Sequence, residues 1–290
     1  MPPRAKRNNK RKNYRKNQRK GTRLTSVVTN KSSRVLRQPF PNVTKRILPY
    51  AFRDQLQPPA TSTGGFSVAS IAYRLNSPYD VDPTTGTIST SARINHQPMG
   101  YDQIMALYSK QRVDWAKIRI NFAINRSRVQ IDETVTPAGS GTETITGNHY
   151  YDGPIRVGLL ITDDPTLDPS LLVQVAGTVA FEKLIEQSKS GQLPNGTSLR
   201  YKTIMPNQRA SLSAGVNPFK FFNRHDKIGY SDWLENNQVG SNSAPGNIVY
   251  CHIIASPISV NPGDQHPKVT FYGDMSFGMT FSDLKQLGQS

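Results

Sequence analysis

An all-β sandwich is the fold class that this 290-residue sequence predicts. Three observations point to it. Apolar residues recur with period two over most of the chain after residue 66, the signature of half-buried strands. Helical periodicity is confined to two short stretches. Runs rich in Gly, Pro, Asn, Ser and Thr separate the alternating segments, as turns and loops do.

The elements follow in order. Residues 66–75 read as the first strand, with a change of phase between Val68 and Ile71 that predicts a bulge near Ala69-Ser70. Residues 98–108 place Tyr101, Ile104, Met105 and Tyr108 at i, i+3, i+4 and i+7 after Pro98, which predicts a short helix. In 113–125, Ile118, Ile120, Phe122 and Ile124 share one face, and Lys117, Arg119, Asn121 and Asn125 share the other. In 154–161, Ile155, Val157, Leu159 and Ile161 alternate against Arg156 and Gly158. A second helix is expected over 178–187, where Phe181, Leu184 and Ile185 form one stripe closed off by Gly191. Leu199, Tyr201 and Met205 alternate with Arg200 and Lys202, and Val249, Cys251 and Ile253 form a further row. Near the C-terminus, Val269, Phe271, Met275, Phe277, Met279 and Phe281 share one parity, a strand of about thirteen residues that exceeds the usual five or six. Residues 76–97, 126–152, 163–170, 188–197, 206–217 and 236–247 read as loops. Period-two patterning fits any Greek-key sandwich. Among these the expectation is a single eight-stranded antiparallel jelly-roll sandwich over 66–290, with two short helical insertions.

The charge is distributed unevenly. The chain holds 36 Lys and Arg against 20 Asp and Glu, a net of +16. Residues 1–53 contain 17 of the basic residues and no acidic one, which leaves 36 − 17 = 19 basic against 20 acidic residues for 54–290. The body is therefore close to neutral. Residues 1–23 are almost devoid of apolar side chains and cannot offset the entropy of ordering, so a disordered basic arm is expected there. Residues 24–65, still basic and punctuated by prolines, read as an extended connector. Within the arm, Arg4, Lys6, Arg7, Lys10, Arg11, Lys12, Arg15, Lys16, Arg19, Lys20 and Arg23 are the candidate nucleic-acid-binding residues. They would pair with phosphates and release condensed counterions. Only Tyr14 interrupts them, so the expected binding is electrostatic, weakly sequence-selective and steeply salt-dependent. The same residues suit a nuclear-import signal.

Other chemistries find little support. No run of eighteen apolar residues exists to cross a membrane as a helix, and the charged N-terminal segment does not read as a secretory signal. Cys251 is the only cysteine and sits in an apolar run, which predicts a buried, inert thiol. The histidines show no metal-ligand spacing, and His96 and His252 read as hydrogen-bonded structural residues. Asp163, Asp164 and Asp168 could hold Ca²⁺ between subunits, but a turn with a helix-capping role explains them with less. No catalytic constellation emerges; neither enzymatic activity nor a cofactor is expected.

At residues 73–125 the chain resembles a known family. YRLNSPYDVDPTTG, from Tyr73, and HQPMGYDQIMALYSKQRVDWAKIRINF, from His96 to Phe122, are similar to capsid proteins of small circular, Rep-encoding single-stranded DNA viruses. That circovirus-like group has tombus-like jelly-roll relatives. The terminal FYGDMSFGMTF resembles the family's last strand. The resemblance implies a jelly roll that self-assembles into an icosahedral shell of about sixty copies. It implies a virion protein and DNA as the packaged single strand, and the import-like basic arm adds the host nucleus before assembly as an expected location. Sixty copies of the +17 segment 1–53 would supply roughly 1,000 positive charges, a sensible share of a small genome's phosphates. The alternative is a non-viral nucleic-acid-binding protein with a basic tail on a β-sandwich, against which the neutral body argues.

Overall fold

The structure, a computed structural model, describes residues 40–58, 68–81, 97–124, 128–135, 143–150, 153–164, 180–193, 196–226, 229–258 and 266–285. All belong to the second of two units into which the chain divides, Phe40–Ser290. The expected basic arm at 1–23 lies outside the described residues. In chain order the elements are β1 (Val43–Leu56), β2 (Ala69–Arg74), α1 (Tyr101–Met105), β3 (Tyr108–Ile124), β4 (Arg128–Val135), β5 (Glu143–Tyr150), β6 (Ile155–Thr162), α2 (Ala180–Ser190), β7 (Ser198–Ile204), β8 (Arg209–Val216), α3 (Pro218–Asp226), α4 (Tyr230–Asn237), β9 (Tyr250–Pro257) and β10 (Val269–Leu284).

Two four-stranded antiparallel sheets, ordered β1-β10-β3-β8 and β2-β9-β6-β7, make the sandwich. Setting aside the β4–β5 hairpin, the first framework strand pairs with the last, the second with the second-last, and so inward: β1 with β10, β2 with β9, β3 with β8, β6 with β7. That folded ribbon is then wrapped by the pairings β10–β3 and β9–β6. This strand order is the jelly roll, and it separates the fold from other Greek-key sandwiches.

The inward faces meet in one core. Ile118, Ile120 and Phe122 of β3, Val157 and Leu159 of β6, Cys251 and Ile253 of β9, and Phe271, Met275 and Phe277 of β10 are all buried there. The parities read for 117–124, 155–161, 249–253 and 269–281 hold. Aromatic rings join the layers: Phe52 of β1 lies 4.5 Å from Tyr73 of β2 and 6.2 Å from Phe271. A second cluster sits outside the β2-β9-β6-β7 sheet, where Phe181, Leu184 and Ile185 of α2 cover Leu160 and Ile254, with Leu199 and Tyr201 packed against them. An Arg156 Nη1–Glu182 Oε1 ion pair at 2.5 Å fixes the helix to β6. Gly191, with φ at +71°, follows the helix as expected.

Several expectations need correction. The stretch assigned to a connector contains β1, a full strand of the first sheet; Pro49 masked it, yet proline is tolerated on an edge strand. The 206–217 loop is mostly β8, whose inward residues Ala210, Leu212 and Ala214 are too small to give a strong apolar signal. The 126–152 loop holds the β4–β5 hairpin. Two further helices, α3 and α4, add to the two expected; Phe219 packs 5.2 Å from Tyr230 and 5.5 Å from Trp233 across them. Helix α1 is only five residues long, because Tyr108 already opens β3. Met205 falls just beyond β7 and is exposed. No bulge occurs in β2, whose register with β9 is continuous from Ala69 to Arg74. The irregularity lies instead where Gly278 pairs with Trp115 and Met279 with Val113, leaving Asp114 as the extra residue.

Candidate nucleic-acid interface

None of the eleven candidate arm residues, Arg4 to Arg23, lies among the described residues, so the structure neither brings them together nor separates them. The first described cation is Lys45, in β1. What the structure adds is the placement of charge on the folded part. From residue 40 onward, 22 basic residues stand against 20 acidic ones. That near balance conceals an uneven surface.

The outer face of the β1-β10-β3-β8 sheet can be assembled row by row from the registers. Arg53, Tyr272, Asn121 and Ser211 form one row across the four strands; Ala51, Asp274, Arg119 and Ser213 form the next; Pro49, Ser276, Lys117 and Gly215 follow. Gln55, Thr270, Ala123 and Arg209 close one end. Toward the other end lie Ile47 with Gly278 and Trp115, then Lys45 with Thr280 and Arg112. The face thus carries six cations and, counting Asp114 and Asp274, two carboxylates. Asp114 is engaged: it accepts hydrogen bonds from Arg112 Nε at 2.8 Å and Thr280 Oγ1 at 2.5 Å. Lys45, Arg53, Arg119 and Arg209 make no ion pair among the described residues.

Two aromatic rings belong to this face. Tyr272 is 52 % exposed in the middle of it. The bulge at Asp114 lets Val113 and Ala116 both enter the core while Trp115 turns outward. Its indole lies across Gly278, where no side chain larger than hydrogen would fit, and Lys117 Nζ sits 5.6 Å from the ring centre. From the neighbouring sheet, Arg200 Nη1 donates to the Ser213 carbonyl at 2.9 Å. With Lys117, Arg119, Asp274 and Ser276 it lines a shallow depression.

The sequence had placed Lys117 and Arg119 on the polar side of their strand, but it could not show which strands flank them. Arg53, Arg209 and Tyr272 went unread as a group for that reason: residues separated by up to about 220 positions meet only through the wrap of the ribbon.

The remaining candidates behave as structural residues. His252 is buried, and its Nε2–H donates to the Asp164 carbonyl at 2.8 Å. Desolvation lowers its pKa from the ordinary 6.5, opposed by that hydrogen bond and by the Asp164 charge. Cys251 is fully buried, and burial pushes its thiol up to about 12. The Asp164 backbone N–H donates to Thr162 Oγ1 at 3.2 Å, a turn contact rather than a ligand arrangement. His96 and Asp168 lie outside the described residues. Among the described residues no cluster of three His, Cys, Asp or Glu side chains is placed to hold a metal, and no helix is long and apolar enough to cross a membrane.

The fold and its basic face define a jelly-roll protein with a polarised surface. Similar solved structures come from viruses. A decameric BFDV capsid protein is 10 % identical, with 84 % of this chain and 99 % of that chain covered and a TM-score of 0.35. A semi-empty particle of the giant freshwater prawn Macrobrachium rosenbergii nodavirus is 12 % identical, covering 88 % of this chain and 89 % of that chain, with a TM-score of 0.37. Mud crab tombus-like virus is 10 % identical, covering 87 % and 86 %, at 0.32. At such scores the overlap is partial, and the jelly-roll assignment rests on the strand order itself. No family model matches the chain, and no curated protein matches it significantly.

Proposed function

We propose that this chain is a viral coat protein whose jelly-roll body assembles with copies of itself into an icosahedral shell, and whose N-terminal cations hold a packaged single strand. The observation that carries the reading is a partition. Fourteen Lys and Arg and no acidic residue precede Phe40, while a complete eight-stranded jelly roll of nearly balanced charge follows it. Subunits close to neutrality can approach one another without strong mutual repulsion, and a concentrated cationic leader neutralises phosphates. DNA, rather than RNA, is favoured by the resemblance at Tyr73–Asp80 and His96–Phe122 alone, because phosphate contacts do not distinguish the two. Nuclear import before assembly is part of the same reading of the leader.

A non-viral nucleic-acid-binding protein with a basic tail is the competing reading, and the basic sheet face gives it some standing. Oligomeric state separates them. Electron microscopy and size-exclusion chromatography of the purified full chain should show closed particles of about sixty copies. A stable monomer or dimer across assembly buffers would favour the competitor.

A further inference from the structure

We infer that the outer face of the β1-β10-β3-β8 sheet is a second binding surface for single-stranded nucleic acid, with Tyr272 as a base-stacking platform and Arg53, Lys117, Arg119 and Arg209 as phosphate partners. It rests on the proposed role of the chain in packaging, and it moves part of that role from the leader to the folded body.

Charge is the first support. The face carries 6 − 2 = +4, whereas the described residues together sum to 19 − 16 = +3, so the other described residues sum to −1. Among the described residues the positive excess therefore resides on this one surface. Its cations are available: Arg53, Arg119 and Arg209 have no carboxylate partner among the described residues. Such spacing of unpaired guanidinium groups across a sheet matches a polyanion better than it matches a mixed-charge protein surface.

The aromatic ring narrows the occupant. Tyr272 is half exposed and is flanked in its own row by Arg53 on β1 and Asn121 on β3, with Arg119 one row further along. A base stacked on the ring would bring its flanking phosphates toward these cations. Only an unpaired base can reach such a ring, so a single strand is selected over a duplex. The side chains around it are small: Ser211, Ser213, Gly215, Thr270 and Ser276 leave the sheet shallow enough for a strand to lie across. Asp274 is the one carboxylate without an ion pair on the face, and it suits the exocyclic amino group of a base rather than a phosphate. Chain connectivity agrees, since β1, which supplies Arg53 and Lys45, directly continues the cationic leader.

The test is a fluorescence titration of the full chain with a labelled thirty-nucleotide oligothymidine over a range of salt concentrations. It is run in the wild-type background and with all fourteen cations that precede Phe40 changed to Gln. In both backgrounds, R53Q/R119Q/R209Q is expected to reduce the slope of log K against log salt by about 2, close to 0.7 for each lost phosphate contact. Tyr272→Ala is expected to weaken binding about 5- to 150-fold with the slope unchanged. Photo-crosslinking of a bromodeoxyuridine oligonucleotide to the unmutated protein should place adducts on Tyr272 or Trp115, a readout that does not depend on variants folding. If the leader substitutions abolish binding while the sheet variants change nothing and no adduct falls on this face, the surface is overturned and the leader stands. If the unmutated full chain does not bind at all, the packaging role falls with it.

Discussion

Cys251 and His252 are adjacent in β9 and face opposite sides of their sheet, and both report on burial. The thiol lies in the main core with its pKa pushed up to about 12, so native protein should not react with a thiol-specific reagent at pH 8, whereas urea-unfolded protein should react stoichiometrically. His252 works through proton linkage. Its native pKa is depressed below 6.5, so the unfolded chain binds more protons as pH falls below that value. Its contribution to stability is complete above pH 6.5 and is lost as pH falls through the depressed native value. Thermal unfolding at pH 7.5 and 5.5 should show a lower midpoint at the acidic end, and His252→Gln should shrink that difference. In the core, Phe277 is fully buried; Phe277→Ala should cost about 3–5 kcal/mol in urea denaturation, and Phe277→Asp should prevent folding. These single positions were legible in the sequence because an alternating apolar row states its own facing. The ring of Trp115 was not, since its outward turn depends on a bulge that only the pairing of β3 with β10 creates.

At the scale of elements, legibility followed local pattern strength. Strands β3, β6, β9 and β10 carry apolar side chains at every second position, with Leu160 and Ile254 added on the α2 side of β6 and β9, and were readable. Strand β1 also alternates, with Leu48, Tyr50, Phe52 and Leu56 buried, but Ile47, Pro49 and Ala51 on its outer side blur the contrast. The Pro49 carbonyl accepts a hydrogen bond from Met99 N–H at 3.0 Å, so an edge that proline cannot donate from is still tied down. Because β1 is a strand of the sandwich, deletions should divide sharply. Removing residues 1–23 should leave the circular dichroism of the body unchanged, whereas removing 1–56 should abolish its cooperative unfolding. Survival of a cooperative transition in the longer deletion would show that β1 is an accessory. The β4–β5 hairpin lies in a Thr- and Gly-rich stretch without a clear signature, whereas α3 and α4 carry one that went unread: Phe219 and Phe222 stand at i and i+3, and Tyr230, Trp233 and Leu234 at i, i+3 and i+4.

For the whole molecule, the ribbon pairing of first strand with last is a long-range property that periodicity cannot reveal. The same wrap gathers Arg53, Lys117, Arg119, Arg209 and Tyr272 onto one surface from four strands. A net charge read from the sequence therefore understated the folded body, which is polarised rather than merely neutral. The charge asymmetry, by contrast, is a property of the sequence alone: seventeen cations and no anion in the first fifty-three residues, eleven of them in the candidate arm, which lies outside the described residues. The function proposed above gives the container to the jelly-roll body and the holding of cargo to the N-terminal cations and the basic sheet face.

Sedimentation velocity recorded at 260 and 280 nm on full-length protein and on protein lacking residues 1–23 tests this assignment most directly. Both should sediment as closed shells, the full-length particles with the absorbance ratio of a nucleoprotein and the truncated ones with markedly less nucleic acid per subunit. Truncated shells that keep the full nucleic-acid content, or a full-length chain that sediments only as a small species, would contradict it.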